Sequence, residues 1–272
     1  MNQLSYDHVS LRAKALQFRS TEKVIRALAN QRRALGETLP DVALVALDEA
    51  EARLKPIRSA LQREMGKIIA DSPLGQWISG TRGLASGTVL LLGLMPPIHE
   101  FAGPASVWKY VGLDVREGRA PKGQRGERLG FDKFRRAVAI MRVADPIMKT
   151  GGPYRAVYDQ RKEHTAASHP DMLAWNGEKY TSELAHPDCP SCQAAVRETE
   201  KHRAARALER ERTSVAFDCS HFGGPHWTAG HRHQDALRVT AKAVLRDAWR
   251  ISRGLPARFA STEEPAMAEA AD

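Results

Sequence analysis

The stretch Trp77–Met148, WISGTRGLASGTVLLLGLMPPIHEFAGPASVWKYVGLDVREGRAPKGQRGERLGFDKFRRAVAIMRVADPIM, decides how the rest of the chain is read. It contains a glycine-bounded corner, Arg82-Gly83-Leu84-Ala85-Ser86-Gly87-Thr88, and then an apolar run through Leu94 that reads as a short helix. Two short helices joined by a glycine turn, the second starting on Ser or Thr, describe a helix-hairpin-helix. Such a turn offers backbone N–H groups to a phosphate oxygen without side-chain obstruction. It therefore holds a nucleic-acid backbone independently of sequence. Arg82 adds charge, and Ser86 or Thr88 caps the helix that follows. The usual hairpin is Gly-hydrophobic-Gly, and here its third position is Ala85.

Downstream the chain turns basic. Arg116, Arg119, Lys122, Arg125, Arg128, Lys133, Arg135 and Arg136 are opposed only by Glu117, Glu127 and Asp132, and Gly118, Gly123, Gly126 and Gly130 space them. A glycine-spaced basic loop suits ordering on a phosphate backbone. The DNA-contacting set read from both segments is Arg82, Gly83, Ser86, Gly87, Thr88, Arg116, Arg119, Lys122, Arg125 and Arg128. A helix follows. Asp132 is its N-cap, and Phe134, Ala137, Met141, Ala144 and Met148 form its apolar stripe, widened by Val138 and Ile140. Pro146 and Gly151-Gly152-Pro153 end it, and Tyr154–Lys162 forms another short helix.

Together, RGLASGTVLLLGL, FAGPASVWKYVGLDV, the basic loop and DKFRRAVAIMRVA resemble the C-terminal transposase domain of the serine-dependent DEDD insertion-sequence transposases, some of which are guided by a bridge RNA. GHRHQDALRVTAKAVLRDAWRISRG (Gly230–Gly254) resembles that domain's closing basic helix, so the likeness spans roughly 75–165 and 228–254. It implies a DNA-binding protein acting in transposition or recombination. In that family a nucleophilic serine follows the Gly-Leu pair matching Gly112-Leu113, where a hydroxyl attacks a phosphodiester. Here Val115 to Gly123 contains no Ser, Thr, Cys or Tyr, and the nearest serines are Ser106 and Ser168. Family members also begin with a ribonuclease-H-like domain holding metal-binding acids. Residues 1–70 show no strand pattern, and Asp48, Glu49 and Glu51 lie within a helical pattern. The expectation is a DNA-binding relative without its own catalytic serine. The alternatives are an active transposase using a partner or other residues, and an RNA-binding or scaffolding module.

Residues 1–70 read as a helical, coiled-coil-like arm. Val9, Leu11, Leu16, Val24, Ile25, Leu28 and Leu35 recur at broadly helical spacing, and Gly36 and Pro40 punctuate. From Asp41, the residues Leu47, Leu54, Leu61 and Ile68 fall seven apart on one stripe, with Pro56 expected to bend or break the helix. This is either an antiparallel arm through which two copies associate, or two ordinary core helices.

The stretch 165–228 interrupts the resemblance and holds all three cysteines. Cys189-Pro-Ser-Cys192 presents two thiolates to one cation. Cys219 and a histidine complete a four-coordinate structural zinc site, His221 favoured over His226 and His186. Gln193–Arg212 is a polar, charged helix too poor in apolar residues to be core. A redox dithiol lacks the expected βαβ context, and no H-E-x-x-H motif points to catalytic zinc.

His231–Arg253 is an amphipathic helix. Leu237, Ala241, Val244, Ala248 and Ile251 form its apolar stripe, Arg232, Arg238, Lys242, Arg246 and Arg250 line its outer surface, and Gly254 and Pro256 stop it. His231 and His233 read as surface or cap residues. The tail STEEPAMAEAAD carries four acids and no base and should be disordered.

The fold expected is mainly α. Residues 1–70 form the arm, 71–164 a helix-hairpin-helix transposase-like domain, 165–228 the zinc-knuckle insert, 229–254 the closing helix, and 255–272 the tail. A formal charge of +9 favours DNA, or structured RNA, as partner. No apolar run approaches the ~18 residues of a spanning helix, the N-terminus lacks an apolar signal core, and the chain reads as cytoplasmic.

Overall fold

The computed structural model describes residues 6–36, 38, 40–115, 120–121, 130–169, 174–175, 180–181, 188–190, 192–193, 196–197, 200, 218–219, 224–225, 227 and 229–259. The fold is mainly helical. It divides into two compact units, residues 1–155 with 240–272, and residues 156–239. The basic-loop residues Arg116, Arg119, Lys122, Arg125 and Arg128, most of Gln193–Arg212, the histidines His186, His221 and His226, and the tail beyond 259 lie outside the described residues.

The first unit opens with α1 (His8–Leu35), whose N-cap Asp7 accepts from the Ser10 amide. Next comes α2 (Asp41–Ile69), packed along α1. Ion pairs Lys14–Glu64 at 2.6 Å and Arg32–Asp48 at 2.6 Å tie the start of one helix to the end of the other, which makes the pair antiparallel. At the base, Leu11, Ala15, Phe18, Leu61, Met65 and Ile69 are buried. Between residues 26 and 60 no described residue is buried, so the far half of the arm is only two helices deep. Val9, Leu16, Val24 and Leu35, read as part of a helical apolar pattern, are exposed. Pro56 does not break α2, which runs unbroken through it. Pro56 is exposed, so the backbone acceptor it leaves without an N–H faces a side of the helix open to water.

Ser72 caps α3 (Pro73–Gly80), with Pro73 at the first turn, where a missing N–H costs nothing. The corner then leads to α4 (Ser86–Gly93). Every residue from Gly87 to Gly93 is buried, as expected of a helix that is apolar all round. α1, α2, α3 and α6 all pack on α4. A β-carbon at Gly93 would stand 2.8 Å from the Ala15 methyl, and one at Gly87 would overlap the Arg142 carbonyl. After a single 3-10 turn (Ile98–Glu100) comes α5 (Pro104–Val111). It ends on Gly112 at φ 83°, with the Leu113 amide donating to the Trp108 carbonyl.

Asp132 caps the next helix as expected, accepting from the Phe134 amide at 2.8 Å. That helix is α6 (Lys133–Val138), a π-helical turn (Ala139–Ala144) and α7 (Asp145–Thr150), in succession. The π turn changes which face is buried. Val138, Ala139, Val143, Ala144 and Ile147 are inside, whereas Met141, assigned to the stripe by its spacing, is 58% exposed. An extra residue in the turn rotates everything after it relative to a 3.6-residue repeat. Pro146 does not stop the helix either. It follows directly on the π turn, and Gly151 at φ 79° is the stop.

α8 (Pro153–Ser168) is longer than the segment read from sequence, and α9 (Ala229–Ser252) is the closing helix. In the first unit Ala241, Val244 and Ala248 are buried as expected. Gly254 at φ 73° ends α9, and the Leu255 amide returns to the Arg250 carbonyl. Asp247 is fully buried and accepts from the Tyr154 hydroxyl at 2.8 Å and the Phe259 amide at 3.2 Å. Burial, and then the Asp247 charge, push the Tyr154 phenol far above its ordinary range. Residues through Phe259 are thereby held by the core.

In the second unit, two ladders of two residues each are described: β1 (Ala174–Trp175) with β2 (Tyr180–Thr181), and β3 (Asp218–Cys219) with β4 (Gly224–Pro225). Two assignments on α9 change here. Arg232 is buried and donates to the His169 carbonyl, and His233 Nδ1 lies 2.7 Å from the Tyr158 hydroxyl.

Gly87→Ala forces α4 away from the Arg142 carbonyl and should cost at least about 2 kcal/mol. Gly66→Ala, in open space within α2, should gain about 0.5–1 kcal/mol. Denaturant unfolding of the two variants measures both.

Candidate nucleic-acid interface

The glycine corner is built by close approach. The Leu84 amide closes a turn on the Thr81 carbonyl at 3.1 Å, and Gly83 sits at φ 93°, which glycine adopts without strain. A β-carbon on Gly83 would lie 2.7 Å from the Gly151 carbonyl, and one on Gly152 would overlap the Arg82 carbonyl. The corner therefore lies on the turn that ends α7. Gly87 and Thr88 are buried, and the Thr88 hydroxyl has no hydrogen-bond partner among the described residues. Neither Ser86 nor Thr88 caps α4. The N-cap is Ala85, which has no side-chain acceptor, and Ser86 Oγ instead accepts from Gln62 at 3.0 Å. The glycines here are spent on helix packing, and the corner presents only Arg82, Ala85 and Ser86 as exposed residues.

The helix after the basic loop also binds its own cations. Arg135 stacks on the Tyr110 ring at 3.8 Å and lies 3.9 Å from Asp132. Arg136 donates to the Pro121 carbonyl at 2.8 Å and sits over Phe131. Only Lys133 of this group is exposed. Asp132 further takes both guanidinium nitrogens of Arg19, at 2.5 and 3.3 Å, fixing α1 to the start of α6. Burial works to raise the Asp132 pKa, but the Phe134 amide and Arg19 outweigh it and hold it below the usual value.

Sequence reasoning passed over Glu22, the lone acid of α1. It is 5% exposed and meets Arg142 at 2.9 Å, Arg58 at 3.4 Å and Arg26 at 3.4 Å. One carboxylate thus joins α1, α2 and the π turn. Burial pushes its pKa up, yet the charges of Arg142, Arg26 and Arg58 prevail and hold it low. Its isolation among the bases of α1 was the available signal.

With those cations consumed, Arg12, Lys23 and Arg33 on α1, Arg63 and Lys67 on α2, and Arg82 at the corner remain exposed and form no ion pair among the described residues. The arm's acids are largely neutralised: Asp48 by Arg32, Glu49 by Arg53, Glu51 by Lys55 and Glu64 by Lys14.

Ser106 is exposed on α5, while the Ser168 hydroxyl donates to the His164 carbonyl at 2.7 Å in the second unit. That unit also carries Arg161 and Arg238 on the buried Asp235, and His169 stacked on Trp227 with ring centroids 4.3 Å apart. Cys192 is fully buried, Cys189 half-buried, and neither forms a disulfide. Among the described residues no cluster of three or more potential metal ligands is gathered.

No protein-family profile matches this chain, and no significantly similar curated protein or solved structure was found. The likeness to insertion-sequence transposases rests on the quoted motifs alone.

Glu22 contributes stability above the unfolded carboxylate pKa of about 4.5 and loses it as pH falls through its depressed folded value. Glu22→Gln should unfold about 2 kcal/mol more easily at pH 7, a figure discounted for the partly exposed arginines. It should also show a flatter stability profile below pH ~4.5. Denaturant midpoints across pH measure both.

Proposed function

We propose that this is a DNA-binding protein of the transposition or recombination type that lacks its own nucleophilic serine. The observation carrying the proposal is a cation surplus that the fold does not consume. The chain holds +9 overall. The arginines nearest the core are paired or stacked, yet Arg12, Lys23, Arg33, Arg63, Lys67 and Arg82 stay exposed, and the sequence adds Arg116, Arg119, Lys122, Arg125 and Arg128. Unpaired cations on a folded surface release counterions from a polyanion, which makes affinity large and salt-dependent. Binding through Arg82 and the basic loop would follow the phosphate backbone and leave base identity unread. The motif resemblance selects DNA over other polyanions. The absence of a hydroxyl from Val115 to Gly123 removes the group that the resembled chemistry needs.

The arm supports self-association as part of the same proposal. Val24, Leu35, Val42, Val45 and Ile57 are 44–77% exposed, and among the described residues none between 26 and 60 is buried. A second arm packed on these side chains would take their apolar surface out of water. Ile57→Glu together with Val45→Glu should shift the chain toward monomer in sedimentation equilibrium while leaving its helical circular-dichroism signal intact.

A salt titration with duplex DNA, matched RNA and heparin tests the main proposal. DNA binding should weaken linearly on a log–log plot, and Arg82→Ala should reduce the slope by about 1 on every duplex sequence tried. Equal or stronger binding to structured RNA would replace the DNA assignment. A plasmid strand-transfer assay should yield no covalent protein–DNA product, and recovery of one would overturn the serine-free assignment.

A further inference from the structure

We infer that three arginines at the end of α9, Arg250, Arg253 and Arg258, form a second phosphate-binding surface for the backbone of duplex DNA. The inference rests on the DNA-binding proposal and adds to it a contact surface outside Arg82 and the basic loop. Arg250 lies in the last turn of α9 and Arg253 one turn further on, so the two are neighbours on one face. The Arg250 Nε donates to the Pro256 carbonyl at 2.8 Å, and Arg258 follows two residues later, exposed. Arg253 places one terminal nitrogen on two carbonyls, His99 at 2.8 Å and Phe101 at 3.0 Å. Its guanidinium lies over the Trp249 ring, 4.8 Å from the centroid. The Trp249 indole N–H donates to the same Phe101 carbonyl at 2.9 Å. The return of the chain after Gly254 thus gathers Arg250 and Arg258, and a carbonyl beside the 3-10 turn holds Trp249 and Arg253.

Basic side chains at a helix C-terminus ordinarily bond its last carbonyls. These do not. The Ile251 carbonyl takes the Gly254 amide at 2.9 Å, and the Arg250 carbonyl takes the amides of Arg253 at 3.0 Å and Leu255 at 2.9 Å. The guanidiniums of Arg250 and Arg253 reach to neighbouring segments instead, and their partners there are neutral carbonyls. A neutral acceptor fixes a guanidinium without cancelling its charge. Because the group has five N–H donors, each arginine keeps donors for a further acceptor, and a fixed planar fork matches phosphate oxygens. None of the three forms an ion pair among the described residues. Residues 248–259 and 101–113 contain no Asp or Glu. Asp247 is turned inward to Tyr154 and Phe259. Two features oppose an anion here. Glu100 is exposed between the residues whose carbonyls hold Arg253, and the end of α9 carries about half a negative charge. Three full positive charges outweigh both, and the surplus suits the closely spaced charges of a nucleic-acid backbone.

Salt titrations of the full-length chain on duplex DNA test the surface. Arg258→Gln, an exposed change that touches no packing contact, should reduce the log–log salt slope by about 1, and Arg250→Gln with Arg253→Gln by about 2. Arg253→Lys keeps the charge and should keep the slope. Glu100→Gln should tighten binding about two- to threefold at low salt. Arg53→Gln with Lys55→Gln removes two charges from the arm, where Glu49 and Glu51 already occupy them, and should leave the slope unchanged. Circular dichroism of each variant should match the parent. Unchanged slopes in Arg258→Gln and in the Arg250/Arg253 pair overturn the inference. An equal loss from the Arg53/Lys55 pair overturns it too, because net charge alone would then explain the binding. Those outcomes leave the DNA-binding proposal standing when the parent chain binds and Arg82→Ala lowers its slope; a parent that binds no duplex removes both. The same slope losses on matched RNA with tighter binding there overturn duplex DNA as the occupant.

Discussion

Backbone meets backbone where α4 crosses the π turn, and the first unit is arranged around that contact. The Arg142 carbonyl occupies the space a β-carbon on Gly87 would need. Only glycine lets two helices come so near, and the nearness lets α4, apolar on every side, be enclosed by α1, α2, α3 and α6. The same π turn aims the Arg142 guanidinium at Glu22, so the residue whose carbonyl sets the helix spacing also supplies the charge partner for the arm. A buried carboxylate satisfied by several guanidinium groups adds little net stability over an apolar substitute, but it fixes which faces meet. The orientation of α1 and α2 at their base is set in this way.

The glycine corner has the same logic. Its sequence offers two readings, exposed amides for a phosphate or bare backbone for a close approach, and glycine serves both because it has no side chain. The fold uses Gly83, Gly87 and Gly152 for approach. Whatever the corner presents to a polyanion is then the charge of Arg82 and the hydroxyl of Ser86, on a base made stiff by that packing.

Helices were legible where local chemistry sets them. Asp132 announces its N-cap, Gly36, Gly151 and Gly254 their stops, and α4 its burial through an unbroken apolar run. Misreadings came where the deciding partner is distant in sequence. Nothing local shows that a π turn will rotate Met141 outward, that Arg232 will be drawn inside by the His169 carbonyl, or that His233 will face Tyr158. Neither of two prolines ends its helix, for a related reason. Pro56 loses its donor on an exposed face, and Pro146 follows directly on the π turn, whose altered hydrogen-bond spacing accommodates it. As for the candidate interface, its charge was legible but its geometry was not, because pairing decides which arginines remain available.

The anchoring of Phe259 has a practical corollary for anyone altering this protein. Its amide and the Tyr154 hydroxyl are donors to a carboxylate with no access to water. Shortening the chain to Gly254 strips away one of those donors and uncovers an aromatic socket formed by Tyr154 and Arg246. The five residues from Leu255 to Phe259 therefore belong to the folded unit, and a truncation that removes them dismantles part of it.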